Sequence, residues 1–237
     1  MSLLTIVQGA CSRLAIPVPT AVVSSENTQV KQLYSFANKE GVELSARADW
    51  QALTKEQVFL TSGAETQTGG LASDYGHYLL DSMFNRSAIR KLAGPLTPYE
   101  WQAEKAMPVY TAVDPAFRIR GNALLFTPPD VTAGQTIAYE YISLNWAVAV
   151  DGTTYKAAFT ADDDTSLLNE PVMIDGLVWR FKAAKGFEYG QDFTKYEAEV
   201  ARLQAQDAGG KPRMNLQYGV PRAAVYAANL PLGNWPG

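Results

Sequence analysis

The chain has 237 residues and a net charge of −4, with 47% hydrophobic and 19% charged residues, a globular composition and not a disordered one. At this length about 70–75% of the unfolded surface can be buried in one large domain or two small ones. The acidic balance, with a pI of about 5.1, excludes a global basic field for nucleic acid or acidic membranes, and the single cysteine excludes an internal disulfide framework.

The opening "MSLLTIVQGACSRLAIPVPTAVV" lacks the basic start of a signal sequence, and Gln8, Ser12, Arg13 and two prolines interrupt its apolar run. No other stretch approaches the roughly 18–20 apolar residues of a bilayer span, so folding in a cytoplasm is expected. Leu4, Val7, Cys11 and Leu14 recur at helical spacing, which predicts a helix over 2–15 with Cys11 as a small core hydrophobe. "IPVPTAVVSS" is an extended linker, because each proline disfavours helix in the residue before it. A second helix is expected from Ser25–Asn27 to about Ala48. Val30, Leu33, Tyr34, Ala37, Gly41 and Leu44 form its apolar face, and Lys31, Lys39, Glu40, Glu43 and Arg47 its outer face.

"EQVFLTS" alternates like a strand and "ETQTGGLASD" reads as a loop. "YGHYLLDSMFNRSAIRKLAG" has room for a short helical turn and then a strand, and the pattern leaves its type open. Thr97, Pro98 and Glu100 make a capping box for a helix over about 98–106. "FRIRGNALLFTPP" predicts a hairpin turning at Gly121-Asn122, and "QTIAYEYISLNWAV" a strand. Asp151-Gly152 marks a turn before a final strand. Helices are expected around Ile174–Phe181, ending at Gly186, and over about 191–207, with Phe193, Tyr196, Val200 and Leu203 turned inward.

Three adjacent carboxylates, Asp162, Asp163 and Asp164, invite a metal reading. A calcium loop counted from Asp162 wants glycine where Leu167 stands and glutamate where Met173 stands, so the favoured reading is a helix start. His77 is the only histidine and is expected to be buried or hydrogen-bonded, not part of a triad or zinc site. Glu100, Glu104, Asp114, Glu140 and Glu170 are available for two-carboxylate hydrolysis, but nothing in the sequence pairs any two. "GGLASDYG" lacks the G-K-[ST] of a phosphate loop. No cofactor and no metal are expected. The evenly spread tryptophans, Trp50, Trp101, Trp146, Trp179 and Trp235, suit core and interface positions better than a sugar-binding module.

The order of segments carries more information than any one of them. The series runs through "SLLTIVQGACSRLAIPVP", "GVELSARADWQAL", "GPLTPYEWQ", "FRIRGNALLFTPPDVTAGQTIAYEYISLNW" and "DTSLLNEPVMIDGLVWRFKAAKGFEYGQDFTKYEAEV". It resembles the head-to-tail connector (adaptor) proteins of tailed bacteriophages over roughly residues 1–206. The resemblance implies an α+β fold: a helical bundle from the N- and C-terminal helices (1–50 and 165–208) carrying a β-rich insertion (51–164). It also implies a non-enzymatic virion protein at the head-tail junction, forming a dodecameric ring under the portal. Its partners would be the portal protein, neighbouring copies of itself and a downstream tail or nozzle protein. DNA would pass through the channel without sequence-specific binding, and no membrane is involved. The rival reading is a carboxylate-dependent cell-wall hydrolase associated with the tail.

Residues 207–237 lie outside the resemblance, and the tail proper is 209–237. Lys211, Arg213 and Arg222 against Asp207 give 207–237 a net charge of +2, and prolines and glycines interrupt any helix. An extended docking tail is expected, with Arg213, Tyr218, Arg222, Tyr226, Leu230 and Trp235 as partner-binding residues.

Overall fold

In a computed structural model that describes residues 2–106, 115–128 and 133–207, the chain alternates helical and strand-rich stretches, a mixed α+β fold. In chain order the elements are α1 (Leu3–Leu14), α2 (Thr28–Ser45), β1 (Thr54–Leu60), β2 (Tyr75–Tyr78), β3 (Phe84–Asn85), β4 (Arg90–Lys91) and α3 (Pro98–Ala106). They continue with β5 (Ala116–Arg120), β6 (Ala123–Thr127), β7 (Thr136–Ser143), β8 (Ala147–Val148), β9 (Tyr155–Lys156), β10 (Thr165–Ser166), α4 (Glu170–Lys185) and α5 (Gly190–Asp207).

Side-chain oxygens start α1, α2 and α4. Ser2 accepts from the Thr5 N–H at α1, Asn27 from Gln29 at α2, and Asn169 from Val172 at α4. Thr97 and Glu100 close a reciprocal capping box at α3, at 2.8 and 3.3 Å. Gly186, with φ 74°, ends α4 in the left-handed conformation that glycine adopts at little cost. Between β5 and β6 the chain turns at Gly121 and Asn122, both with positive φ.

Two expectations are met only in part. The 75–94 stretch contains no helical turn; β2, β3 and β4 occupy it, because their backbone groups find strand partners in β7 and in one another. The expected strand after Asp151-Gly152 shrinks to the two residues of β9.

The chain forms two compact units. One comprises Met1–Lys55, Asp74–His77 and Ile142–Gly210; the other contains Glu56–Ser73 and Tyr78–Tyr141. Residues 142–164, expected within the β-rich insertion, thus belong with the helices.

In the first unit α4 packs against α1, α2 and α5, over a core that includes Leu3, Ile6, Leu33, Leu44, Trp146, Val172 and Leu177. Each such side chain contributes roughly 1.5–3 kcal/mol when fully buried. Gly41 on α2 lies directly on the indole of Trp146, leaving no room for a Cβ. The short sheet β10-β8-β9 completes this unit. In the second unit a sheet of order β1-β7-β3-β4 and the β5-β6 hairpin enclose an aromatic core. Phe59 meets Phe126 at 6.2 Å, and Tyr78 meets Phe117 edge-on at 5.3 Å.

The three aspartates do not start α4, which begins after Asn169. Their backbone and side chains serve other elements. The carbonyls of Asp164 and Asp162 accept from the N–H groups of Leu3 and Leu4, satisfying the otherwise unpaired first turn of α1. The Asp162 carboxylate accepts from the Val22 and Val23 N–H groups, the shortest bond being 2.8 Å. Asp164 is buried and accepts from Lys156 Nζ and from the N–H groups of Thr160 and Ala161. Asp163 is exposed and touches no partner among the described residues.

Candidate interaction surface

The helix spacing of α2 predicted Glu40 on the outer face, yet Glu40 is 0% exposed. Arg180 of α4 donates to Glu40 Oε2 through Nε at 2.9 Å and Nη2 at 2.7 Å, while the Tyr196 hydroxyl of α5 donates to Oε1 at 2.6 Å. Nη2 of Arg180 also reaches Glu43 at 2.6 Å, and Arg47 pairs with Glu197 at 2.7 Å. One carboxylate thereby ties three helices together. It fits because residue 176 is glycine: a Cβ there would stand 2.6 Å from Oε1 of Glu40.

Burial raises the Glu40 carboxyl above its ordinary value, against the pull of Tyr196 and Arg180. Glu43 is held below its ordinary value: partial burial raises it, but Arg180 and Lys39 outweigh that. Burial likewise pushes the Tyr196 phenol upward. A network of this kind specifies geometry more than it adds stability, since two charges leave water to form it. It clamps α5 against α4.

Just beyond the clamp, the α4–α5 corner carries a group of aromatic rings. Phe187 and Tyr189 are exposed in the connection, and Phe193 is exposed on the first turn of α5 (Phe187 62%, Phe193 38%). The half-buried Trp179 neighbours two of them, with ring centroids 5.1 Å from Phe193 and 6.4 Å from Tyr189, and lies 6.0 Å from the buried Tyr196. The Arg180 guanidinium lies 4.4 Å from the Trp179 ring centre. Trp179 Nε1 is shielded from solvent and has no hydrogen-bond partner among the described residues. Lys185 ends α4 and Lys195 lies on α5; neither forms an ion pair among the described residues, and the Lys185 ammonium stands 5.3 Å from the Phe181 ring centre. Lys182 is paired with Asp192 at 2.5 Å.

Clustered aromatic rings beside unpaired cations are an interface composition; a ring left in water forfeits the burial it would gain against a partner. Periodicity put Phe193 with the inward residues Tyr196 and Val200. The structure buries those two and leaves Phe193 partly exposed, with Trp179 against one side of its ring. The sequence did hold a signal: Phe187 and Tyr189 follow the C-cap glycine Gly186, where no helix face can bury them.

The other candidate groups do not converge. His77 Nε2 donates to Asp49 Oδ1 at 2.7 Å, and both side chains are exposed. Glu100 is held by Thr97, whose N–H and hydroxyl keep its carboxyl below the ordinary value. A catalytic acid needs the opposite shift. Glu140 is exposed on β7, and Asp114 lies outside the described residues. So do Arg213, Tyr218, Arg222, Tyr226, Leu230 and Trp235, the residues expected in a docking tail. Among the described residues no group of three or more His, Cys, Asp or Glu is placed to hold a metal ion, and no helix is long and apolar enough to cross a membrane. A mainly apolar groove of about 400 Å³ lies where α5 ends, between Leu44, Trp50, Leu168 and Leu203.

No protein-family model matches the chain, and no curated protein matches it.

Proposed function

We propose that this chain is a structural head-to-tail adaptor of a tailed bacteriophage, a non-enzymatic virion protein that forms a ring under the portal, extends the DNA channel and joins capsid to tail. In this reading the N- and C-terminal helices act as a helical bundle that carries the β-rich region, and residues 209–237 form an extended arm that docks on the portal. The observation that carries the proposal is the aromatic corner: exposed rings with unpaired lysines, mounted on two helices that a buried ion network holds rigid. A fixed apolar surface suits an assembly component, because rigidity lowers the entropy lost on docking. The acidic net charge suits a channel that DNA must slide through without sticking.

The test is negative-stain imaging of the chain alone and mixed with a purified portal. Rings seated on portal are the expected result, with a chain ended after Gly210 binding far more weakly at an unchanged melting temperature. No association of the full chain with portal at any concentration ratio overturns the proposal.

A further inference from the structure

The aromatic corner needs an occupant, and the chain presents a surface of matching chemistry. Between α1 and α2, residues 16–23 run as "IPVPTAVV" without regular structure. Val18 is 53% exposed and Val23 is 41% exposed. The segment is not loose: Gln8 Nε2 donates to the Pro19 carbonyl at 2.9 Å, and Asp162 holds the N–H groups of Val22 and Val23. Asp163 follows the residue that grips Val23, and its carboxylate is exposed with no partner among the described residues. The two surfaces are therefore complementary in two independent respects. An apolar segment already fixed by such hydrogen bonds packs on clustered aromatic rings with little further loss of entropy. The unpaired carboxylate of Asp163 matches the unpaired ammonium groups of Lys185 and Lys195.

We propose that the aromatic corner of one copy (Trp179, Phe187, Tyr189 and Phe193) receives the Ile16–Val23 segment of a second copy. The contact is heterologous, since different patches meet, and repeating it from copy to copy closes a ring or extends a filament. This rests on the reading of the chain as a self-assembling adaptor. Other exposed apolar residues of the same unit fit less well: Val42 stands beside the Lys39–Glu43 pair, and Val150 beside the self-satisfied turn of Asp151.

The test uses the full chain. Copies carrying Val18→Cys are mixed at high concentration under mild oxidation with copies carrying Phe187→Cys; the native Cys11 is buried and serves as an internal control. The expected result is a cross-linked heterodimer several-fold in excess of either homodimer. Adding Asp163→Lys to the first variant lowers its yield, and adding Lys185→Glu to the second restores it. Homodimers equal to or above the heterodimer, no cross-linked product, or no rescue by the charge exchange overturns the proposal. Because no portal is present, failure here leaves the portal-binding reading to its own experiment. A cross-link without portal binding sinks that reading and not this one.

Discussion

Two nitrogens of Arg180, on α4, converge on a single oxygen of Glu40, on α2, and the other oxygen of that buried carboxylate takes the Tyr196 hydroxyl from α5. Residues 140 and 156 positions apart in sequence thus meet at one carboxylate. The clamp sets the angle at which α5 leaves α4, and with it the display of Trp179, Phe187, Tyr189 and Phe193.

Removing one partner of this network leaves an uncompensated charge in the interior. Glu40→Ala is expected to lose about 3–5 kcal/mol in chemical denaturation, far more than an outer-face position would. Tyr196→Phe, which keeps the ring and drops one hydrogen bond, should lose about 1–3 kcal/mol. A change within error for Glu40→Ala would mean that the clamp is not formed.

Gly176 is required by close approach alone. Gly176→Ala adds a methyl group against the Glu40 carboxylate and should destabilise by about 1–3 kcal/mol, although alanine is the better helix former. Thermal melts of the two proteins decide it: a more stable variant shows that the helices have room to spare.

The three aspartates should separate cleanly under substitution. Asp162→Ala strips the acceptor from two backbone N–H groups and should cost about 1–3 kcal/mol, whereas Asp163→Ala should stay within about 0.5 kcal/mol. Equal effects at the two positions would contradict the contacts described.

Asp164 sets part of the acid limb of stability. Burial raises its carboxyl, but the Lys156 ammonium and the Thr160 and Ala161 N–H groups outweigh this and hold it below 3.8. With the folded value below the unfolded one, the folded state binds the proton less readily. The stability Asp164 supplies is present above about pH 3.8 and is lost as pH falls through the depressed value. Asp164→Asn should be less stable than the unchanged chain at neutral pH, and the gap should narrow below pH 3.8. A gap that is constant with pH would show that its charge plays no part.

His77 is the one histidine and its side chain is exposed beside Asp49. His77→Ala should leave stability within about 0.5 kcal/mol and leave portal binding unchanged. Loss of binding in a normally folded variant would place His77 in an interface.

Some of this architecture is written in neighbouring residues. Asn27 and Asn169 cap their helices, Thr97 and Glu100 cap each other, Gly121-Asn122 turns a hairpin and Gly186 stops α4, because each acts on backbone groups within a few positions. Those interactions survive in any context, so the sequence alone determines them. Which side of a helix finds a partner is a different matter. Glu40 lay on the polar side of α2 by periodicity, yet Arg180 and Tyr196 arrive there from far along the chain and make its burial tolerable. Phe193 kept step with Tyr196 and Val200, yet among the described residues it stays partly exposed. Asp162 had the composition of a helix cap, yet its partners are Val22 and Val23, about 140 residues earlier. Only the tertiary packing decides such positions, because the energy of a charge or a ring depends on what other segments bring within a few ångströms of it.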